Sequence, residues 1–166
     1  MDILVRVEPA VTALPAVDYR WDADTDILTA TLHSGAVGEG MSGSVEIEGK
    51  DGSWLILEAS NGRIASVEVA VWPEVRKVGS LAVPAEPAPS RVTLPSRQSE
   101  PGVAVLEVDT LLAATADKAE RTIHFRIGPS RPTRPVSVAQ DVILDIDERD
   151  RIAGVWLLNV PPFPAA

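Results

Sequence analysis

Residues 44–72 contain three short runs rich in aliphatic residues, separated by turn-forming residues. Val45 and Ile47 are apolar at alternate positions, and the next run, Leu55–Leu57, is apolar throughout. Alternation with a period of two residues is typical of β-strands. Asn61–Gly62, between the second and third runs, tolerates the positive φ that a two-residue hairpin turn requires. The pattern predicts a meander of three strands.

The same pattern returns in the second half of the chain. Arg151–Val155 repeats Arg63–Val67 at all but one position, 88 residues later, and closes a similar stretch of alternating residues that begins at Val136. A repeat at a fixed period identifies segments with equivalent structural roles. We interpret the chain as a tandem duplication of one β unit.

Two further elements precede each meander. Tyr19–Leu32 corresponds to Glu107–Ile127, each with a polar turn in its middle, and Ile3–Val7 corresponds to Arg91–Leu94. Thr110–Ala116 has a composition compatible with a helix, but equivalence with the first copy predicts a strand. We therefore predict an all-β fold of two pseudo-symmetric antiparallel β units, packed as a sandwich or a partial barrel.

Prolines are concentrated between the two copies, at about residues 73–101. Proline cannot donate the backbone hydrogen bond of a central strand, so this connection is predicted to be an extended linker or edge strands. The first repeat then comprises residues 1–80 and the second residues 81–166. Because β units of about 80 residues are marginally able to bury a core alone, we expect one composite core; two separate domains are the alternative.

The chain carries 24 acidic and 15 basic residues, a formal net charge of −9. This charge repels a phosphate backbone, so we expect no nucleic-acid partner. The absence of cysteine excludes disulfides, thiolate metal ligands and a cysteine nucleophile. No stretch approaches the about 18 apolar residues that span a bilayer, and Met1–Arg6 lacks the basic start of a signal peptide. We expect a cytoplasmic bacterial protein without a membrane partner.

Trp21–Thr29 combines an aromatic residue with aspartates at regular spacing. Asp22 follows the tryptophan directly, Asp26 comes after three further residues, and Leu28 follows with one residue between. This spacing is similar to the opening motif of a small bacterial family, the domain of unknown function 2283. That motif usually continues with tyrosine, where this chain has threonine.

The second signature of that family is Asp-x-Asp followed by a turn glycine, an apolar pair, glycine, an aliphatic residue and glutamate. It resembles Leu144–Val155 and, in the first copy, Gly62–Glu68. Asp150 replaces the turn glycine and Trp156 replaces the glutamate in the second copy. The resemblance implies a β fold present as two diverged tandem copies. It implies no catalytic residues, because members of the family have no established activity.

Asp22, Asp24 and Asp26 are candidate ligands of a metal ion. Carboxylates at alternate loop positions suit a hard cation such as calcium. An EF-hand loop would need glycine at the sixth position, where Ile27 stands. The alternative is a hairpin turn in which the aspartates accept hydrogen bonds from nearby backbone N–H groups.

Trp54, Trp72 and Trp156 are candidate ligand-binding residues. They lie near the ends of apolar strands, where tryptophan lines pockets or anchors partners. Clefts are favoured at junctions between structural units, so we expect a pocket between the repeats. The charge of −9 favours a neutral or cationic ligand. Ordinary packing of the three rings is the alternative.

No set of residues has the spacing of a catalytic site, and no cofactor is expected. Gly38–Gly43 matches the glycine spacing of a dinucleotide-binding loop, but the residues that follow predict a strand where that loop requires a helix. His33 and His124 are too few to hold zinc. Asp145 and Asp147 share one face of a predicted strand, where a solvated turn is the ordinary interpretation.

We predict a non-catalytic binding or protein-interaction module. One alternative is an acid-dependent or metal-assisted hydrolase, with Asp22, Asp26, Asp145 and Asp147 as its carboxylates. A second alternative is a small-molecule-binding protein with its pocket between the repeats. We also predict a homodimer formed through a strand edge or an exposed aliphatic face. Ile3–Val7 carries nothing that blocks strand pairing, whereas prolines interrupt Val160–Pro164.

Overall fold

The computed structural model describes residues 3–33, 38–96 and 103–164, and in these residues the chain forms fourteen β-strands and no helix. The strands lie in two sheets, one of six strands and one of eight. Buried side chains of both sheets form one hydrophobic cluster, as in a β-sandwich. The predicted all-β fold is confirmed. The end of the predicted proline-rich connection, residues 97–101, lies outside the described residues.

The strands are numbered in chain order. Those of the first half are β1 (Arg6–Pro9), β2 (Val17–Asp22), β3 (Ile27–Leu32), β4 (Ser42–Gly49), β5 (Trp54–Ser60), β6 (Arg63–Val71) and β7 (Val75–Val78). Those of the second half are β8 (Ala88–Thr93), β9 (Val103–Thr110), β10 (Leu112–Asp117), β11 (Ile123–Ile127), β12 (Thr133–Ala139), β13 (Val142–Asp147) and β14 (Ile152–Leu157). Strands β4 to β6 and β12 to β14 are the two predicted meanders, and β10 is the segment whose composition is compatible with a helix.

The two sheets share a strand order. The six-stranded sheet has the order β2-β3-β6-β5-β4-β9, and the eight-stranded sheet has the order β7-β10-β11-β14-β13-β12-β8-β1. In chain order, β10 to β14 take the positions in the second half that β2 to β6 take in the first. Five neighbouring strands therefore follow the same order in both sheets, as two copies of one unit are expected to do.

Three strand pairs are parallel, whereas the sequence pattern predicts antiparallel units. β9 pairs with β4 over eight residues, from Val103 opposite Ser42 to Thr110 opposite Gly49. β7 pairs with β10, and β8 pairs with β12. Parallel neighbours need a long connection, and here the first two pairs join strands of different halves. Each sheet therefore contains strands from both sides of residue 80.

The predicted turn at Asn61–Gly62 is present. These two residues join β5 to β6, with Ser60 opposite Arg63, and both have positive φ, 50° for Asn61 and 82° for Gly62. Paired positive φ angles match the right-handed twist of a hairpin. The glycine-rich segment Gly38–Gly43 leads into β4, so it lacks the helix that a dinucleotide loop requires.

Large and small side chains change places between the two equivalent hairpins. In the β2–β3 hairpin Tyr19 lies opposite Ala30, and in the β10–β11 hairpin Ala114 lies opposite Phe125. Ala30 and Phe125 are fully buried. The exchange keeps the filled volume similar where the two sheets face each other, which a closely packed interior requires.

The connection between β7 and β8 crosses the outer face of the eight-stranded sheet. These strands lie six strand spacings apart, about 29 Å at about 4.8 Å per spacing. The chain from Val78 to Ala88 reaches about 31 Å at the about 3.1 Å per residue of a polyproline II helix. In this segment Leu81, Pro84 and Pro87 are half-buried while the residues between them are exposed, a period of three. We call residues 79–87 the strap.

The proline-rich segment therefore differs in part from the prediction. The strap is an extended linker and β7 is an edge strand, as predicted. β8 is an interior strand between β1 and β12, not an edge. Pro89 of β8 lies opposite Ser137 in the short parallel pairing with β12, and its carbonyl accepts a hydrogen bond from the Ala10 N–H.

The N-terminal segment is paired, not open as the sequence suggested. The Val5 N–H donates to the Asp150 carbonyl, and the Ile152 N–H donates to the Ile3 carbonyl, both at 2.9 Å. β1 follows as an edge strand of only four residues that ends at Pro9. Within the described residues no helix could cross a bilayer.

Candidate functional site

An aromatic cleft opens where the β2–β3 hairpin meets the β10–β11 hairpin. Trp21 is the last residue but one of β2, Ala116 is the last but one of β10, and both line the cleft. Because Ala116 stands at the position in β10 that Trp21 holds in β2, a cavity of about 270 Å³ remains beside the indole. The other lining residues are Asp26, Trp72, Val75, Glu120, Ile123 and Phe163.

Three aromatic rings form one wall of this cleft. Trp21 stacks on Trp72 with ring centroids 5.7 Å apart and an angle of 18° between the planes. Phe163 meets Trp21 edge to face at 5.1 Å. Trp72 also packs against the buried ring of Phe125 at 5.8 Å, so the wall continues into the hydrophobic core.

Hydrogen bonds fix both indoles. Trp72 Nε1 donates to the Asp26 carbonyl at 2.7 Å, and Trp21 Nε1 donates to the Pro161 carbonyl at 2.8 Å. The Tyr19 hydroxyl donates to the Leu158 carbonyl at 2.7 Å. Burial, and secondly the charge of Asp141, raise the pKa of the Tyr19 phenol, so it remains a donor. The chain that leads to Phe163 is thereby held against β2.

Two carboxylates lie at the rim of the cleft. Asp26 and Glu120 are the residues with positive φ in the two equivalent turns, and both line the cavity. Lys77 forms an ion pair with Glu120 at 2.6 Å, but no ion pair involving Asp26 is present among the described residues. The rim therefore carries a net negative charge beside exposed aromatic surface.

The three predicted tryptophans are not together. Trp72 lines the aromatic cleft. Trp54 begins β5, is 39% exposed and lies opposite Val71, so it contributes to neither tryptophan-lined cavity. Trp156 is buried on the outer face of the eight-stranded sheet, in a different cavity. Sequence reasoning missed Trp21 and Phe163 as partners of Trp72.

In the β2–β3 turn, the carboxylate of Asp22 binds the backbone. Asp22 Oδ1 accepts a hydrogen bond from the Asp24 N–H at 3.0 Å, and the Asp22 carbonyl accepts one from the Asp26 N–H at 2.8 Å. This is the alternative that the sequence left beside calcium binding. In the part of the chain that the structure describes, no three His, Asp or Glu side chains are placed to share a metal ion.

A histidine and an aspartate face each other across β14. His124 Nε2 lies 2.7 Å from Asp145 Oδ2, and Trp156 Nε1 donates to Asp145 Oδ1 at 3.2 Å. The His124 and Trp156 rings are 4.3 Å apart. With Pro84 of the strap and Arg126 they line a cavity of about 330 Å³. No local pattern identifies His124 as a site residue, because its partner Asp145 is 21 residues away.

Gly154 lies beneath this His–Asp pair. A Cβ atom there would come within 2.5 Å of Asp145 Oδ2 and 2.9 Å of His124 Nε2. Ser66 of β6 stands at the matching position in the similar segment Arg63–Val67. Gly154 therefore provides the space in which His124 of β11 and Asp145 of β13 meet over β14, the strand between them.

Asp147 is buried, which contradicts the solvated turn expected for it. Its side chain is 3% exposed, and its Oδ2 accepts hydrogen bonds from Arg131 Nε and Arg151 Nε, both at 2.8 Å. Its Oδ1 accepts the N–H groups of Arg149 and Arg151. Burial acts to raise the pKa of Asp147, but the bonds from Arg131 and from these backbone groups outweigh burial and hold the pKa at about 2.

No protein-family model matches the chain, and a search of curated proteins found no match. The resemblance to domain of unknown function 2283 stays a prediction. The functional proposal therefore rests on the geometry of the cleft.

Proposed function

We propose that this protein is a non-catalytic binding protein whose ligand occupies the aromatic cleft. The observation that carries the proposal is the wall formed by Trp21, Trp72 and Phe163 beside a cavity of about 270 Å³. Ligand sites are concave, largely apolar and favoured at junctions. Both halves of the chain line this cavity, which supports a site that depends on both.

The chemistry of the cleft favours a cationic ligand. Faces of tryptophan rings attract cations, by about 0.5 to 2 kcal/mol depending on how far the cation is desolvated. Asp26 and Glu120 at the rim add negative charge, and the whole chain has a net charge of −9. We propose an organic ammonium group as the part of the ligand that enters the cleft.

The hydrolase alternative receives less support. Asp22 and Asp26 belong to the β2–β3 turn of the six-stranded sheet, whereas Asp145 and Asp147 lie on β13 of the eight-stranded sheet. Asp147 is engaged by two arginines. These four carboxylates do not line a common cavity, which paired acid and base catalysis requires.

We expect tetramethylammonium to bind in the cleft and Trp72→Ala to weaken this binding at least about threefold, because one of the two indole faces is lost. Binding is followed by tryptophan fluorescence and by calorimetry, with sodium chloride keeping the ionic strength constant. Trp54→Ala is the matched control, since Trp54 lies outside the cleft. tert-Butyl alcohol, a neutral molecule of similar shape, is expected to bind more weakly.

Three results would contradict this proposal. These results are the absence of a saturable signal with tetramethylammonium, equal affinity for tert-butyl alcohol, and equal weakening of binding by Trp54→Ala and Trp72→Ala. Equal binding of tert-butyl alcohol would contradict only the preference for a cation, because the cleft would still bind a ligand.

We further propose that the chain is a tandem duplication related to domain of unknown function 2283 and that it forms a homodimer. β9 is the longest edge strand, and in the described residues its outer edge makes no backbone hydrogen bond. Its exposed Glu107 and Asp109 lie beside Glu46 and Glu48 of β4. Like charges in neighbouring positions oppose pairing of two copies at low salt.

We expect light scattering at high micromolar concentration to show a dimer whose population increases when sodium chloride is raised from about 0.01 M to about 0.5 M, because salt screens the acidic edge. Glu107→Gln should give the same dimer at lower salt, while Glu86→Gln, on the exposed strap, should not. A monomer mass under all these conditions would exclude the dimer.

A further inference from the structure

A small cavity separate from the aromatic cleft lies between the Ala10–Pro15 loop, β6 and β8. Arg63, at the start of β6, and Arg91, within β8, both line it, together with Thr12 of the loop. Its volume is about 70 Å³. A water molecule takes about 30 Å³ in the liquid, so the cavity has room for two waters or one small ion.

Arg91 has an unused hydrogen-bond donor inside the protein. Its Nη2 atom donates to Glu8 Oε2 at 2.8 Å, whereas its Nε atom is buried and has no hydrogen-bond partner. A buried donor without a partner costs free energy, more for a charged group, and is rare in folded proteins. An acceptor that enters the cavity is one explanation for this donor.

Arg63 supplies a second positive charge. It is half-buried, and its guanidinium group forms no ion pair or hydrogen bond with the described residues. Arginine presents several donors in a rigid planar arrangement that matches carboxylate and phosphate oxygens. In a chain with a net charge of −9, two arginines beside one cavity oppose the overall charge.

The loop adds backbone donors to the two arginines. Its ends are held by the bond from the Ala10 N–H to the Pro89 carbonyl and by the bond from the Gln140 N–H to the Pro15 carbonyl. Between them, the N–H groups of residues 11–14 donate no hydrogen bond to described residues, and these residues line the cavity. These N–H groups are therefore available to an acceptor that enters the cavity.

We propose that this cavity binds a small oxyanion, a phosphate or a carboxylate group, between Arg63 and Arg91. The anion accepts from Arg91 Nε and from the Arg63 guanidinium group, and the loop N–H groups bind the remaining oxygens. Glu8 competes for Arg91, so it limits the affinity. This site is independent of the aromatic cleft.

Calorimetric titration of the full chain with inorganic phosphate, and separately with acetate, tests the proposal. Sodium chloride keeps the ionic strength constant, so that screening of the arginine charges does not change during the titration. We expect one saturable site. Arg63→Gln and Arg91→Gln should each weaken binding at least about tenfold, since each removes a charged hydrogen bond. Arg20→Gln, on the exposed face of β2, should leave binding unchanged.

Glu8→Gln gives the opposite expectation, because removing the competing carboxylate should strengthen binding. Amide resonances of residues 11–14 should shift on addition of the anion in the unsubstituted protein, which remains informative if Arg91→Gln does not fold. Tighter binding of phosphate than acetate would assign the ligand as a phosphate group, and the reverse would assign a carboxylate. Absence of saturation, or equal affinity in Arg63→Gln and Arg20→Gln, would overturn the proposal.

Discussion

Asp147→Asn is expected to lower the free energy of unfolding by about 3–5 kcal/mol, the usual cost of removing one partner from a buried ion pair. The carboxylate of Asp147 accepts four hydrogen bonds, two of them from the guanidinium groups of Arg131 and Arg151. An amide cannot accept all four, and it leaves two positive charges near the sheet without a counterion. The loop between β13 and β14 also loses the carboxylate that accepts the N–H groups of Arg149 and Arg151.

Urea unfolding at pH 7 measures this loss, with Asp109→Asn as the control because Asp109 is exposed on β9. The pH profile provides a second measurement. The folded-state pKa of Asp147 is about 2, below its ordinary value of 3.8. Its contribution, about 2 kcal/mol, is therefore present above pH 4 and lost as the pH falls toward 2. Two results would contradict this interpretation. One is a loss of unfolding free energy below about 1 kcal/mol, and the other is the same decrease in stability between pH 4 and pH 2 in Asp147→Asn as in the unsubstituted protein.

Gly154→Ala is expected to lower the free energy of unfolding by about 1–3 kcal/mol or more, as overpacking does in a closed site. The added methyl group would overlap Asp145 Oδ2 and His124 Nε2 and would lie 3.0 Å from the Phe125 carbonyl. Sheet backbone cannot move away freely, so the hydrogen bond between His124 and Asp145 must break or the strands must separate.

Urea unfolding again gives the stability, and the His124 ring resonances report whether its bond to Asp145 survives. Gly79→Ala is the control, because the nearest atom to a Cβ at that position is the flexible end of Lys118, 3.8 Å away. Equal stability of Gly154→Ala and Gly79→Ala, with unchanged His124 resonances, would show that the sheet relaxes at no cost.

The strands and turns could be predicted because their signals are local. The alternation in β4 and β5 and the Asn61–Gly62 pair depend on residues that are neighbours in sequence. The parallel pairing of β9 with β4 could not be predicted in this way. It joins residues about 60 positions apart, and nothing in either strand's pattern distinguishes a parallel from an antiparallel neighbour.

The candidate site was predicted only in part, for a similar reason. Trp72 was identified from its type and its place after a strand. The cleft itself depends on Ala116, a small residue at the position in β10 that Trp21 holds in β2. The empty space that results has no sequence signal. Asp147 was misjudged because only one of its two arginines is a near neighbour in sequence. Arg151 is four residues away, just before β14, whereas Arg131 lies 16 residues away in the loop before β12 and is brought to Asp147 by folding.

The pairing of β4 with β9 has a consequence for how the protein is made. During synthesis on the ribosome, β4 emerges about 60 residues before the strand that completes its sheet. Until then its edge can pair with other nascent chains, and closing so long a loop is slow. Glu46 and Glu48 on β4, which oppose contact between like chains, protect this edge while the second half is still being translated.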